Sequence, residues 1–556
     1  MSTLKTSPDR DEKARVEHGK ASHPSEDEIS SHTLSLRGRK LTASLAFVAG
    51  AGFTLFGYDQ GVMSALLTAG QFEKVFPQVV VDSSHPNHAT LQSFVVAIYE
   101  IGCLIGALSN LWVGDLLGRR RTIVVGGCIM IIGAILQTTS YSYAQLVVAR
   151  IVTGLGNGLN TSTVPSYHAE CSPAARRGSL IMIEGSLITF GIMISYWASG
   201  SSAQWRVPIA LQIILALIMI FGIGFLPESP RWLVKHGRNA EAVAVIAALE
   251  DKPFTDSEVQ RTYHAIREAV EIENGFSGPE DLGDATHKSR PRSQLRELFT
   301  GGRSQNFRRA SLGVINQCFQ QITGINLITY YATILFQRLG LSDVTSRVIA
   351  AANGTEYFLA SLIAIFLIDR VGRRKLMLFG AVGQCLTMVL LAVLGSVKGG
   401  GAQVVSSVLL FVFNSFFAVG WLGMTWLYPA EIVGLRIRAP ANALSTASNW
   451  IFNFMVVMVT GPSFNNISWG TYIVFAALNA FIVPIVYFFF PETAGRSLED
   501  MDVIFALAYN EGVSPVKVSL RKDIPPAGSP EADRILGIQS SAVTSGRDSG
   551  EESFGQ

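Results

Sequence analysis

Five ionisable residues, Asp59, Glu100, Arg150, Glu184 and Glu356, stand well inside long apolar runs of this chain. At a bilayer centre each would cost about 2.5–3.5 kcal/mol on insertion scales, so each is expected to face a bundle interior and mark a pathway, a relay or a buried pair. Asp59 and Arg150 are the best candidates for such a pair. Where they meet, the guanidinium favours the ionised carboxylate, and parting them favours the protonated one, which is how a proton switch works. The plainer use is a permanent ion pair that fastens two helices. A second constellation is polar but uncharged: Asn316, Gln317, Gln320, Gln321, Thr323, Asn326, Thr329, Tyr330 and Tyr331. Positions 317, 320, 321 and 324 share one helical face, with Gly324 leaving backbone room beside the amides. Amides donate and accept, and so do the hydroxyls of a sugar or polyol. Hydrogen bonding between helices is their other use. Trp421, Trp426, Asn449, Trp450 and Asn453 add aromatic faces and further amides. A membrane Trp is commonly an interface anchor, and Trp426, just before Tyr428-Pro429, is the better placed to bind. No nucleophile–base set and no metal-ligand spacing occurs in a soluble segment, so an enzyme, a metal site and a cofactor are not expected.

The elements that must carry these residues are membrane helices. Of the 556 residues 49% are apolar and 15% charged, too greasy for a soluble chain of this size. The apolar residues fall in runs long enough to span a bilayer. Twelve spans are predicted, roughly 42–68, 90–112, 122–139, 144–166, 178–198, 207–226, 309–337, 347–368, 376–395, 403–428, 439–461 and 471–490. They divide six and six, and the sequence repeats itself across the division. Gly114-Asp115-Leu116-Leu117-Gly118-Arg119-Arg120 returns as Ile368-Asp369-Arg370-Val371-Gly372-Arg373-Arg374, an offset of 254 at Asp115 and Asp369. Glu170-x6-Arg177 returns as Glu431-x6-Arg438, offset by 261. Two similar membrane halves are the usual plan of a secondary transporter, with the substrate site between them.

Basic residues set the orientation. Four loops placed inside carry eleven: Arg119, Arg120, Arg121, Arg176, Arg177, Arg370, Arg373, Arg374, Lys375, Arg436 and Arg438. The outer loops carry five, Lys74, Arg206, Arg338, Arg347 and Lys398, so both termini are expected in the cytoplasm. The net charge of +2 gives no reason to expect nucleic acid, and the five cysteines offer no disulfide framework in the outer loops. Residues 1–41 and 506–556 read as disordered cytoplasmic tails, 42–226 and 309–505 as the two halves, and 227–308 as a cytoplasmic helical linker. Within the linker, Thr255-x-x-Glu258 predicts a capping box opening a helix over 256–271 that buries Val259, Tyr263, Ile266 and Val270. The outer loop 69–90, with Phe72, Phe76, His85 and His88, reads as a flap or as a solvated loop.

In combination, Gly57-Tyr58-Asp59, the two basic turns, Pro227-Glu228-Ser229-Pro230-Arg231, Gln320-Gln321-x-x-Gly324-x-Asn326 and Pro491-Glu492-Thr493-x-Gly495-Arg496 resemble the sugar porter family of the major facilitator superfamily, over residues 42–505. The resemblance implies an all-α membrane protein of twelve helices in two pseudo-symmetric halves. It implies sugar contacts from Gln320, Gln321, Asn326, Trp426 and Asn449, and an inner gate network of Arg119, Glu170 and Arg177 with Arg373, Glu431 and Arg438. In proton-coupled members an Asp at the position of Asp59 takes the proton and an Arg at that of Arg150 partners it, whereas animal facilitators carry Asn and yeast facilitators keep the Asp. Two positions depart from the hexose pattern and add to the substrate-binding set. Gly185 stands where hexose porters place a Gln, and Tyr357 where they place an Asn. Phe56 to Ser64 and Tyr99-Glu100-Ile101-Gly102-Cys103 look like a fungal branch that includes glycerol–proton symporters and carriers of hexoses, pentoses or sucrose. The expectation is a plasma-membrane importer of a sugar, monosaccharide or sucrose-like disaccharide, driven by protons through alternating access in the lipid bilayer. A facilitator of a hexose, polyol or glycerol is the alternative, and a non-transporting sugar sensor is third, since the tail of about 50 residues shows no repeated signalling segment.

Overall fold

The computed structural model describes residues 26–81, 85, 87–172, 177–199, 205–273, 294–397, 399–434, 437–527 and 529–537. Expectations for the outermost parts of both tails, and for Arg176, Lys398 and Arg436, lie outside the described residues. Among the described residues twelve helical passages make the bundle. Span 1 is Gly38–Leu66, span 2 His88–Leu117, span 3 Arg119–Thr138, span 4 Tyr143–Glu170, span 5 Arg177–Ser199 and span 6 Arg206–Gly224. In the second half, span 7 is Asn306–Ile322 continued by Ile325–Arg338, span 8 Asp343–Val371, span 9 Arg373–Ser396, span 11 Arg438–Asn466 and span 12 Gly470–Phe489. Span 10 runs as Gly400–Phe417, a π-helical turn Ala418–Leu422, and Met424–Ile432. Several spans outrun their predicted limits. The 30 residues of span 2 reach about 45 Å, beyond the ~30 Å hydrocarbon core that hydropathy detects.

Among the described residues ten helices are long and apolar enough to cross a membrane, and neither span 4 nor span 7 is one of them. Span 4 is diluted by Arg150, Asn157, Asn160 and His168. Span 7 is broken at Gly324, whose φ of +94° is left-handed and favours glycine. A Cβ there would also stand 2.9 Å from the Phe475 ring. Asn479 Nδ2 donates to the Thr323 carbonyl at the break, at 2.9 Å, which satisfies backbone that lipid could not.

Glycines set the helix spacing. A Cβ on Gly102 would lie 2.4 Å from the Ile151 carbonyl oxygen, and one on Gly154 2.2 Å from that of Tyr99. Spans 2 and 4 thus touch backbone to backbone, as small residues permit in membranes, and the contact puts Tyr99, Glu100 and Arg150 in one layer. Gly57 does the same for spans 1 and 5, where a Cβ would fall 1.8 Å from the Ile188 carbonyl oxygen.

Under the bundle, the linker forms helices Pro230–Lys235, Asn239–Glu250 and Ser257–Glu273. Trp232, Leu233, Val243, Ile246, Val259, Tyr263 and Val270 make their common core. The cap of the last helix differs from the expected box: Asp256 Oδ1, not Thr255, accepts from the Glu258 N–H at 2.8 Å. Glu258 pairs instead with Lys252. The linker is tied to the first half by Lys235 with Asp115 at 2.7 Å and by Trp232 Nε1 donating to the Asp115 carbonyl at 2.9 Å.

Two segments read as loop or tail are ordered. Phe72 and Phe76 are fully buried and meet Trp205 edge-on at 5.3 and 5.6 Å, so the outer loop is packed down by its aromatics. Residues 498–537 carry helices Leu498–Glu511, Pro515–Ser519 and Pro530–Leu536. The first opens on a capping box of Ser497 and Asp500 and buries Met501, Ile504, Phe505 and Ala508, which corrects the tail boundary placed at 506. Arg309 of span 7 pairs with Asp502 on that helix.

Candidate functional site

Asp59 and Arg150 meet. Arg150 Nη1 is 3.3 Å from Asp59 Oδ1, and neither side chain has any exposure. The other guanidinium nitrogens turn to backbone, Nη2 to the Val96 carbonyl at 3.1 Å and Nε to that of Val95 at 3.4 Å, while the Tyr99 ring lies 4.5 Å from Cζ. Gln212 of span 6 adds a second donor to Asp59 Oδ1 at 3.0 Å. Sequence reasoning missed Gln212, although a lone amide in an apolar span is the same signal that singled out Asp59. Glu100 lies beside this pair with no exposure, and its Oε1 accepts from the Tyr330 hydroxyl of span 7 at 2.6 Å. Of the other intramembrane acids, Glu184 meets His168 at 2.8 Å and Glu356 accepts from Ser415.

The second half gathers the amides. Asn449 Nδ2 donates to Gln317 Oε1 at 2.6 Å and to Gln320 Oε1 at 2.8 Å. Gln321 Nε2 donates to Gln320 Oε1 at 3.1 Å, and Asn326 Nδ2 to Gln321 Oε1 at 2.6 Å. All are buried, and they satisfy one another. A ligand rich in hydroxyls could exchange these bonds one for one. Asn316 and Gln317 also donate to the carbonyls of Met424 and Thr425 beyond the π turn, at 3.2 and 2.9 Å. That anchors the segment carrying Trp426, which is half-buried. Trp421 and Trp450 are fully buried with indole N–H groups unpartnered among the described residues, and Trp450 faces Phe56 of span 1 with ring centroids 5.7 Å apart.

The two departures from the hexose pattern both lie against span 10. Gly185 faces span 10, where a Cβ would meet Leu422 at 3.5 Å. Tyr357 is buried against Phe417, with ring centroids 6.2 Å apart. Hydrogen bonds join the halves in the middle of the bundle and towards the end away from the linker: Thr189 with Ser361 at 3.0 Å, Trp197 to Thr355 at 3.0 Å, Tyr331 to Ser93 at 3.0 Å, and Tyr196 to the Thr329 carbonyl.

At the end of the bundle beside the linker the repeated motifs build two matching clamps, one on each half. Glu170 takes Arg119 on both oxygens, at 3.0 and 3.1 Å, and accepts from Ser229. Glu431 takes Arg373 at 2.8 and 3.2 Å and accepts from Thr493 at 2.6 Å. Tyr167 donates to the Pro227 carbonyl at 2.6 Å and Tyr428 to that of Pro491 at 3.1 Å. The acid after each half caps an earlier helix of that half: Glu228 accepts the Arg119 N–H at 3.0 Å and Glu492 the Arg373 N–H at 2.8 Å, anions at the positive ends of spans 3 and 9. Burial raises the pKa of Glu228 above its ordinary value, while the N–H donors of Ser229, Arg120 and Arg119 pull it down. The Arg177 side chain lies outside the described residues, and Arg438 is half-buried at the start of span 11. Ser229, Thr493 and the two capping acids were not singled out from sequence as parts of this network, although they stand in the motifs that follow each half.

Residues 45–505 match the family described as sugar (and other) transporter. The chain is 39% identical over 500 residues to the sugar transporter STL1 of Saccharomyces cerevisiae, covering 87% of this chain and 84% of that protein. It is 37% identical over 507 residues to the major facilitator superfamily transporter mfsA of Aspergillus fumigatus, covering 88% and 90%. Among solved structures it is similar to XylE of E. coli, a proton:xylose symporter bound to 6-bromo-6-deoxy-D-glucose, with a TM-score of 0.69 at 24% identity over 84% of this chain and 99% of that one. That likeness establishes the twelve-helix major facilitator fold. With its paired inner clamps, its broken span 7 and these matches, the chain is a multi-pass membrane transporter, not an enzyme, and belongs to the sugar (and other) transporter family.

Proposed function

We propose that this protein imports a sugar or polyol across the plasma membrane together with a proton, by alternating access, with both ends of the chain in the cytoplasm. One arrangement carries the reading: a fully buried Asp59–Arg150 pair in the first half, and an amide cluster of Gln317, Gln320, Gln321, Asn326 and Asn449 in the second. The names of STL1 as a sugar transporter and of XylE as a proton:xylose symporter support it. The basic inner loops support the orientation.

In the outward-facing state Asp59 takes a proton, which loosens its hold on Arg150. Sugar binds to Gln320, Gln321, Asn326 and Asn449, with Trp426 against its apolar face. Gly185 and Tyr357 set the shape of the remaining space. The halves then rock about the bound sugar, the outer contacts close, and the inner network of Arg119, Glu170 and Arg177 with Arg373, Glu431 and Arg438 opens to release sugar and proton.

Uptake of labelled D-glucose, D-xylose, sucrose and glycerol into transporter-deficient cells, with and without a protonophore, tests this. Accumulation above the external concentration that collapses with the gradient is expected. Uptake that stops at equilibrium and ignores the protonophore would make the protein a facilitator.

A further inference from the structure

Two carboxylates and one guanidinium share the buried layer between spans 1, 2 and 4. Asp59, Glu100 and Arg150 have no exposure, while the other buried arginines among the described residues, Arg309 and Arg373, sit at the starts of spans 7 and 9. One guanidinium neutralises one carboxylate, and a second bare carboxylate in low dielectric is strongly disfavoured. Arg150 has chosen: it bonds to Asp59 and to two backbone carbonyls, and gives Glu100 none of its hydrogen bonds. The groups around Glu100 are Asp59 from span 1, Tyr99 and Cys103 from span 2, Arg150 from span 4, Tyr330 from span 7 and Asn453 from span 11. Two of these, Tyr330 and Asn453, belong to the other half of the protein.

That placement differs in kind from the Asp59–Arg150 pair, which lies wholly in the first half. The Tyr330 hydroxyl donates to Glu100 Oε1 at 2.6 Å. Glu100 Oε2 and Asn453 Nδ2, an acceptor and a donor in adjacent side chains, face each other without a closed hydrogen bond. Asn453 Oδ1 meanwhile holds Asn326 Nδ2 at 2.7 Å, and Asn326 stands one helical turn before Tyr330 on the segment after the break in span 7. The second half therefore presents hydrogen-bond donors to Glu100 through the same residues that end the amide cluster.

Resting on the reading above, we infer that Glu100 is a second proton-carrying carboxyl, and that Tyr330 and Asn453 couple its charge to sugar occupancy of the second half. With the outer side open, Tyr330 and Asn453 withdraw, and Glu100 takes from external water the one proton that it then shares with Asp59. With the outer side closed, the Tyr330 O–H and the Asn453 N–H favour the carboxylate, and the proton passes through the Asp59 layer to inner water. Only O–H bonds form and break, and one proton crosses per cycle. A sugar hydroxyl that replaces the Asn326–Asn453 bond frees Asn453 to turn its amide to Glu100 Oε2, so sugar promotes the release.

The full chain in proteoliposomes containing a pH-sensitive dye tests this, with whichever of D-glucose, D-xylose and glycerol the wild type takes up best. The wild type is expected to take up protons on sugar addition, with a half-saturating concentration that moves with external pH by up to about tenfold per unit. E100Q keeps the shape and the acceptor for Tyr330 but cannot titrate. It is expected to retain sugar counterflow, lose proton uptake and show a flat pH profile, while E100D regains part of both and Y330F displaces the wild-type profile along the pH axis. Wild-type coupling matched by E100Q would overturn the inference alone. Loss of counterflow in both E100Q and E100D would also overturn it, by making residue 100 a packing position. A wild type that moves sugar with no proton would overturn the underlying reading and this inference together.

Discussion

Asn326 donates to Asn453 at 2.7 Å, joining the segment beyond the break in span 7 to span 11. Asn326 also donates to Gln321, so Asn326→Ala leaves two buried acceptors short of a donor. A lost bond of this kind is worth about 1–3 kcal/mol, which predicts a sugar interaction weaker by about 5- to 150-fold in a folded protein. Counterflow half-saturation, measured beside a thermal melt, checks both parts.

Asp59→Asn removes the titrating group and leaves Gln212 and Arg150 an acceptor of similar shape. The variant is expected to lose accumulation yet retain part of its exchange. Accumulation ratio and counterflow, read on the same vesicles, separate the two. Normal accumulation would move the proton site to another carboxyl.

Gly154→Ala drives a methyl group into the Tyr99 carbonyl, 2.2 Å from where its Cβ must lie. Overpacking of this kind typically costs about 1–3 kcal/mol. A lower melting temperature in detergent is expected, with transport also impaired because the same crossing sets Arg150 against Tyr99 and Asp59.

The two clamps share no residue, so Glu170→Gln and Glu431→Gln should act independently. Their effects on the unfolding free energy are expected to add within about 0.5 kcal/mol in the double variant. Denaturant titration of the four proteins provides the cycle. A coupling well above that figure would mean that the clamps touch in a populated state.

Gly185→Gln restores the amide typical of hexose porters, but its side chain must pass Leu422, which already lies 3.5 Å from the Cβ position. The single variant is expected to transport poorly. Pairing it with Leu422→Ala should recover uptake and shift preference towards hexoses in a competition panel.

The architecture was legible because basic turns punctuate apolar runs, and because the same turn is written twice. Spans 4 and 7 carry the polar side chains, so hydropathy is weakest where the motifs are strongest, and only the two together recover them. What sequence could not supply was distance. Gln212 lies 153 residues from Asp59, and Tyr330 lies 230 from Glu100. Each pair joins helices that are not neighbours in the chain. The ordered C-terminal helices were hidden by a Ser- and Pro-rich composition, although Ser497-x-x-Asp500 is a readable cap. The inner clamps were half visible. Their arginines and acids repeat in the sequence, whereas the pairing of Glu170 with Arg119 depends on how spans 3 and 4 splay at their inner ends.

Each clamp closes on chain made in one continuous run, Arg119 to Ser229 at the start of the linker and Arg373 to Thr493 at the end of the second half. During synthesis the first can therefore lock before span 7 has left the ribosome, and the second needs nothing from the first. Membrane insertion can then proceed as two successive foldings of one pattern, as domains generally fold in units from the N-terminus. The contacts between halves are the last to form.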